Sequence, residues 1–419
     1  MLLMMAIFLF QGLGLFLLQQ VVDIALYLEE IAVFLLIVNT LFFVLVCGKQ
    51  AKNKKEYAIL LFAYLIRILT LLWDFYGRNV FVLPNAGIDT ESFHRYAVLF
   101  ARGYEVSRSG VYFRIVGLIY RLFGVQRINA QYFNVMLSMF TIFFVKKILA
   151  QIKLDKKIFN MGLLLIAFLP NYVIMSAILL RESVIIFLIT MSLYHFIKWW
   201  KNQHTTNIVL AMLFSLAAGF FHSGSMSPAI AYALIYIFYS HKDQKYKFSL
   251  KSVIVAVLLL GGFLLIDLFF SEGLFRQFNR FESVDDIMNV TVRGDSGYLR
   301  WMEATGTFGM IVFSPIRMFY FIASPLPWYW RGFNDIFGFI VSSVFYVYAY
   351  YLLFWNLKSG IKLNRKLIVA LMIISLFTTF MFAWGVNNAG TAMRHRDKFI
   401  SIFIVSFAIC LNNFRASKK

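Results

Sequence analysis

The sequence predicts an all-α integral membrane protein of about twelve transmembrane helices, with amphipathic or re-entrant helices on the extracytoplasmic face. Three observations predict it. Of 419 residues, 61% are hydrophobic and only 14% charged, with a mean hydropathy of +0.75, which is not the composition of a soluble globular chain. Mostly apolar stretches of about 17–22 residues recur, each long enough for a hydrocarbon core of about 30 Å. The basic residues between them are sorted by type: 20 of 21 lysines fall in the segments 48–57, 146–157, 198–207, 241–251, 357–366 and 415–419. Lysine-rich short loops at alternate ends of spans mark the cytoplasmic side.

The first run, MLLMMAIFLFQGLGLF, lacks a basic leader and a small-residue cleavage site, so it reads as an uncleaved span over 2–18. Further spans are expected at 31–47, 57–73, 130–148, 158–178, 183–200, 207–224, 227–240, 252–270, 336–356, 367–385 and 399–413. Twelve crossings place both termini, and every lysine segment, in the cytoplasm. Residues 74–129 then form a long outer loop. Within it, GVYFRIVGLIYRLFGV (110–125) sets Arg114 and Arg121 among aromatics, as suits a helix lying in the interface. Residues 271–306 form a second outer loop. Residues 307–335 are apolar but broken by Pro315, Pro325 and Pro327, and read as a re-entrant or interfacial element, with paired half-crossings as the other option that keeps the topology. Residues 1–419 are therefore expected to form a single polytopic transmembrane domain of the cell membrane.

The opposite face carries arginine and carboxylate together: 16 arginines, Lys398 and 16 of the 20 acids. Guanidinium grips phosphate bidentately, whereas ammonium is a hydrated point charge. The net charge of +20 does not imply nucleic acid, because the lysines flank spans, where orientation and anionic headgroups account for them. Cys47 and Cys410 sit at cytoplasmic ends of spans and suit neither a structural disulfide nor a zinc cluster. The absence of a Walker loop, a dinucleotide fingerprint and an HExxH motif removes support for ATP-driven transport and metalloprotease chemistry.

Five stretches carry candidate chemistry. NAGIDTESFHRYAVLFARGY (85–104) presents Asp89, Glu91, His94 and Arg95 at a helix start. A carboxylate there can take a proton from an acceptor hydroxyl, or Asp89 or Thr90 can simply cap the helix. NNAGTAMRHRDKF (387–399) packs Arg394, His395, Arg396 and Lys398 into five residues. These suit a lipid diphosphate, or headgroup anchoring by snorkelling side chains. ILLRESV (178–184) places Arg181 and Glu182 at a tight hairpin between spans, where a structural pair competes with a site role. GFFHSGSMSP (219–228) adds His222 among small residues, which equally permit close helix packing. SPIRMFYFIASPLPWYWRGFND (314–335) surrounds Arg317 and Arg331 with aromatics that can stack on sugars or form an interfacial belt. Arg67 is a lone charge within a span, with Asp267 as one available partner, and Asp285, Asp286 and Asp295 are candidate ligands of a divalent cation.

In Gly87-Ile88-Asp89-Thr90-Glu91-Ser92-Phe93-His94, the proline-aromatic stretch 314–330, and the Arg394/Arg396 pair before the last span, the chain resembles polytopic envelope-polysaccharide enzymes. These are the GT-C-type glycosyltransferases and their relatives, the Wzy- and EpsG-like polysaccharide polymerases. The resemblance implies sugar transfer from a polyprenyl-phosphate or polyprenyl-diphosphate donor to a hydroxyl outside the cytoplasm. It implies a catalytic base at Asp89, or at Glu91 if the register differs. Here the acid follows the third predicted span rather than the first, and no soluble C-terminal domain follows, which leans towards the polymerases. Arg394 and Arg396 are expected to stabilise the leaving phosphate, with His94, Arg95, Arg181, His222, Arg317, Arg331 and His395 as further substrate contacts. The expected partners are the polyprenyl-linked saccharide, the bilayer and other polysaccharide-assembly proteins, with a divalent cation as an optional cofactor. The rival reading is a transporter or flippase of the same lipid-linked saccharides, disfavoured by the lack of paired broken helices in two related halves.

Overall fold

The computed structural model describes residues 2–18, 27–106, 110–243, 245–250, 252–257, 261, 296–302, 306–359 and 364–417. Apart from a two-residue-per-strand hairpin, β1 Tyr239–Ser240 and β2 Lys245–Tyr246, the regular structure described is helical. Seven helices are long and apolar enough to cross a membrane: Leu28–Gln50, Lys54–Tyr76, Arg127–Gln151, Glu182–Asn202, Asp335–Lys358, Arg365–Trp384 and Ala389–Ala416. The pair Lys156–Phe168 and Pro170–Ala177, bent by 45°, makes an eighth if it is one span. This is fewer than the twelve expected from the sequence. Three expected spans form helices of only 17, 15 and 12 residues, Leu2–Leu18, Thr205–Gly219 and Ser227–Phe238. These fall below the roughly 20 residues a straight crossing uses. The span expected at 252–270 lies outside the described residues except 252–257 and 261.

The chain divides into two compact units, residues 1–143 with 163–187, and residues 144–162 with 188–419. The first contains α1 (Leu2–Leu18), α2 (Leu28–Gln50), α3 (Lys54–Tyr76), α4 (Ile88–Ala101), α5 (Tyr112–Phe123), the start of α6 (Arg127–Gln151), the end of α7 (Lys156–Phe168), and α8 (Pro170–Ala177). The stretch expected to lie in the interface is α5. It buries Tyr112, Phe113, Val116, Ile119, Tyr120 and Phe123 at helical spacing, and leaves Arg114 and Arg121 exposed. That apolar face packs against α4 and α1. Gly117 permits the approach to α4, since a Cβ there would lie 2.6 Å from the Phe100 ring and 3.0 Å from the Ala97 carbonyl. Arg121 then crosses to the end of α4, donating to the carbonyls of Phe100 at 2.7 Å and Ala101 at 3.3 Å. Cations suit a helix C-terminus, where carbonyls lack intrahelical donors.

Arg67, inside α3, is fully buried. Its guanidinium donates to the carbonyls of Ala63 at 2.9 Å, Ala167 at 2.8 Å and Ile166 at 3.4 Å, and lies 5.2 Å from the Tyr172 ring centroid. The last two carbonyls belong to the turn before Pro170, whose nitrogen has no hydrogen to return to Ile166. Arg67 thus supplies donors where the α7–α8 break removes them. Asp267 lies outside the described residues.

The second unit carries the rest of α9 (Glu182–Asn202), then α10 (Thr205–Gly219), α11 (Ser227–Phe238), the β1–β2 hairpin and α12 (Gly306–Ala323). α13 (Phe333–Gly338) passes through a π-helical turn, Phe339–Ser343, into α14 (Val344–Lys358). α15 (Arg365–Trp384), α16 (Ala389–Arg396) and α17 (Ile400–Ala416) follow. The stretch expected to be broken at Pro315 is instead one 18-residue helix through that proline. Ser314 beside it donates to the Met310 carbonyl and accepts from Trp384 Nε1 at 2.9 Å, pinning α12 to α15. The helix ends before Pro325, and residues 324–332 are irregular apart from one 3-10 turn.

Candidate functional site

In the first unit, four charged side chains meet at the end of α3 opposite Lys54 and Lys55. Asp74, in the last turn of α3, is fully buried. Arg78 lies four residues on and folds back onto it, Nε to Oδ1 at 3.1 Å and Nη2 to Oδ1 at 3.0 Å. Gln131 Nε2 donates to the other Asp74 oxygen, and Arg127 Nη2, from the first residue of α6, lies 3.6 Å from it. Both arginines also reach forward to α4. Glu91 Oε1 accepts from Arg78 Nη1 at 2.5 Å and from Arg127 Nη1 at 2.7 Å. The two forks are therefore held between a buried carboxylate behind and an accessible one in front, for the Glu91 side chain is 52% exposed. Partial burial opposes ionisation of Glu91, but the hydrogen bonds and charges of Arg127 and Arg78 outweigh it and hold its pKa at about 2.

The remaining residues of the α4 stretch divide by face. α4 begins without a side-chain cap: Gly87 occupies that position, and Thr90 turns its hydroxyl back to the Gly87 carbonyl at 2.8 Å. Asp89 is half-buried in the first turn. Residues two apart leave a helix about 200° apart, so Asp89 and Glu91 flank the N-terminal end of α4. His94 is half-buried, with Nδ1 2.7 Å from the Tyr120 hydroxyl of α5. Burial, and then the Arg127 charge, lower its pKa and favour the neutral ring. Arg95 is exposed, 5.3 Å from the Tyr96 ring centroid. Arg181 precedes α9, and its carbonyl accepts from Val184 and Ile185. Glu182 beside it is buried.

In the second unit the structure brings His222 and His395 together, ring centroids 4.7 Å apart, both packed on Phe382. Lys398 lies over that same phenyl ring at 5.5 Å. Arg317, on α12, donates to Asn387 Oδ1 at 2.8 Å and stacks on Trp384 at 4.3 Å. Residues 296–298 dock beside Asn387, with Tyr298 N donating to the Asn387 carbonyl at 3.0 Å. Arg331 makes a bidentate pair with Asp335, at 3.0 and 3.1 Å. Arg394 is half-buried in the last turn of α16.

Arg396 stands apart because it is 0% exposed and its guanidinium is fully engaged. Nη1 donates to the carbonyls of Ile322 at 2.8 Å and Ser324 at 2.6 Å, at the end of α12. Nη2 donates to the hydroxyls of Ser342 at 2.9 Å and Ser343 at 2.8 Å, and Nε to Ser342 at 3.3 Å. The π-helical turn is what brings two successive serines to one guanidinium. With its five N–H groups so engaged, Arg396 joins three elements and has no donor left for a phosphate.

Sequence reasoning missed Asp74, Arg78, Arg127, Gln131 and Tyr120. The available signal was positional. Asp74 and Arg78 stand four apart at one edge of a span, and Arg127 opens the next, all on the arginine-bearing side. Among the described residues no group of three His, Cys, Asp or Glu side chains is placed to hold a metal ion. Asp285, Asp286 and Asp295 lie outside them. Comparison of the chain with protein-family models, curated proteins and solved structures finds no match.

Proposed function

We propose that the protein is a membrane glycosyltransferase or polymerase of cell-envelope polysaccharide assembly. It transfers sugar from a polyprenyl-(di)phosphate-linked donor to a hydroxyl acceptor on the extracytoplasmic face. In this reading the chain crosses the membrane twelve times with both termini cytoplasmic: α1, α10, α11 and residues 252–270 complete the count, while α12 is the re-entrant or interfacial element and not a crossing. The observation that carries it is the pair of arginine forks, Arg78 and Arg127, anchored on buried Asp74 at the N-terminal end of α4. Glycosyl transfer from a lipid phosphate needs charge held where the leaving phosphate develops it and a base for the attacking hydroxyl.

Asp89 is the base. The acceptor oxygen gives its proton to Asp89 and forms a bond to the anomeric carbon, while the bond from that carbon to the phosphate oxygen breaks and its electron pair leaves with the lipid phosphate. Glu91 does not serve, because a carboxylate whose pKa is about 2 is too weak a base for a sugar hydroxyl. The arginines stabilise the departing phosphate, whose oxygens match the guanidinium forks. The test is transfer by purified protein in detergent, from the lipid-linked saccharide of its host to an acceptor. Product formation supports the reading. Absence of product with movement of the same lipid across liposomes overturns it in favour of a transporter.

A further inference from the structure

We infer that Arg78 and Arg127 form the binding site for the donor's lipid diphosphate, and that Glu91 is an internal anion occupying it until the diphosphate displaces it. This rests on the transferase reading above for the identity of the ligand. The site is built to survive the departure of Glu91. Asp74 is fully buried and holds Arg78 by two nitrogens and Arg127 by charge, while Gln131 fixes the carboxylate itself. Removing Glu91 therefore leaves both forks anchored from behind.

Three features make Glu91 a stand-in rather than a strut. A single oxygen, Oε1, takes the bonds from both arginines, so one rotation of the side chain releases both. The side chain is half exposed, against 11% for Arg127 and 25% for Arg78, so it can swing into water. Arg127 also retains donor capacity: its Nε and Nη2 are buried and make no hydrogen bond among the described residues. Buried charged donors without acceptors are costly, and a ligand with more oxygens than one carboxylate relieves that cost. The charges agree. Two guanidiniums less Asp74 leave one positive charge, which Glu91 cancels and a diphosphate would more than cancel. The first turn of α4 beside the site adds backbone N–H groups that favour an anion.

An internal competitor scales apparent affinity down to the fraction of time the site is free. In purified full-length protein in detergent, Glu91→Gln should bind both inorganic pyrophosphate and a short polyprenyl diphosphate roughly tenfold more tightly than wild type. Glu91→Asp, which retracts the carboxylate by one methylene, should do the same to a smaller degree and covers the case in which the amide fails to fold. Arg127→Gln should abolish binding of either probe. If both Glu91 variants bind no more tightly than wild type, or as weakly as Arg127→Gln, Glu91 is a strut and the inference is overturned. Equal affinity for the two probes overturns the assignment to a lipid diphosphate. Transfer is assayed in parallel. Tight binding by Glu91→Gln without transfer by any variant would sink the transferase reading alone, and transfer with unaltered affinity would sink only the displacement.

Discussion

Arg67 donates to the Ala167 carbonyl at 2.8 Å, one turn ahead of Pro170, and so bridges the break between α7 and α8. A charge within a span that bonds to backbone carbonyls satisfies the helix rather than a substrate. Arg67→Met leaves the Ile166 and Ala167 carbonyls without those donors, at a cost of about 1–3 kcal/mol for each buried group. Cys47 and Cys410 are free and buried, so a thiol-reactive dye reports thermal unfolding. The expected outcome is a clear fall in unfolding temperature for Arg67→Met, and a smaller fall for Arg67→Lys, whose single ammonium nitrogen reaches fewer carbonyls. Unaltered unfolding of Arg67→Met would contradict this role.

The acid limb of stability belongs partly to α4. Glu91 has its pKa lowered from 4.5 to about 2, partial burial opposing and the two arginines prevailing. His94 has its pKa lowered from 6.5, by burial and then by Arg127. In both cases the unfolded chain takes up the proton first, so stability falls as pH falls. The His94 contribution is complete above about pH 6.5 and lost below it, and the Glu91 contribution is complete above about pH 4.5 and lost towards pH 2. Thermal unfolding between pH 8 and pH 3 should show a slope that His94→Asn flattens as pH falls below about 6.5 and Glu91→Gln flattens only below about pH 4.5. Identical pH profiles for both variants and wild type would contradict these environments.

Arg396 should report on stability rather than on donor binding. Arg396→Lys loses the fork that joins the Ile322 and Ser324 carbonyls to the Ser342 and Ser343 hydroxyls. It should lower unfolding temperature by the loss of several buried hydrogen bonds, each worth about 1 kcal/mol. Apparent Vmax should then fall with the folded fraction while donor KM stays unchanged. A normally stable Arg396→Lys protein with a raised donor KM would return this arginine to the substrate.

Orientation is testable by single-cysteine labelling in intact cells after replacement of Cys47 and Cys410. The lysine asymmetry predicts that cysteines at Lys54 and Lys245 resist an impermeant reagent while one within 85–105 reacts. Labelling at position 245 would overturn the topology.

The helices were legible because apolar length and lysine placement are local properties. Eleven of the twelve expected spans coincide with helices, whether or not each is long enough to cross. The continuity of α12 was not legible, since what steadies it at Pro315 is a hydrogen bond from Trp384, 70 residues away. The α4 stretch announced Asp89, Glu91 and His94, but not what Glu91 touches. Arg78 and Arg127 lie 13 and 36 residues from it, and only tertiary packing brings them to one oxygen. The roles of Arg67 and Arg396 were hidden for a related reason, because their partners are backbone carbonyls and serine hydroxyls, which carry no charge signature in a sequence.

The most direct measurement is single-turnover transfer from the host's lipid-linked saccharide by purified wild-type and Asp89→Asn proteins of matched unfolding temperature. Asparagine keeps the size of the side chain but cannot accept the hydroxyl proton, and loss of a general base costs about 10²–10⁴ in rate. Wild type should give product, with a fall of that order for Asp89→Asn. Transfer by Asp89→Asn at the wild-type rate would remove Asp89 from the chemistry, and the absence of any wild-type product would contradict the enzyme itself.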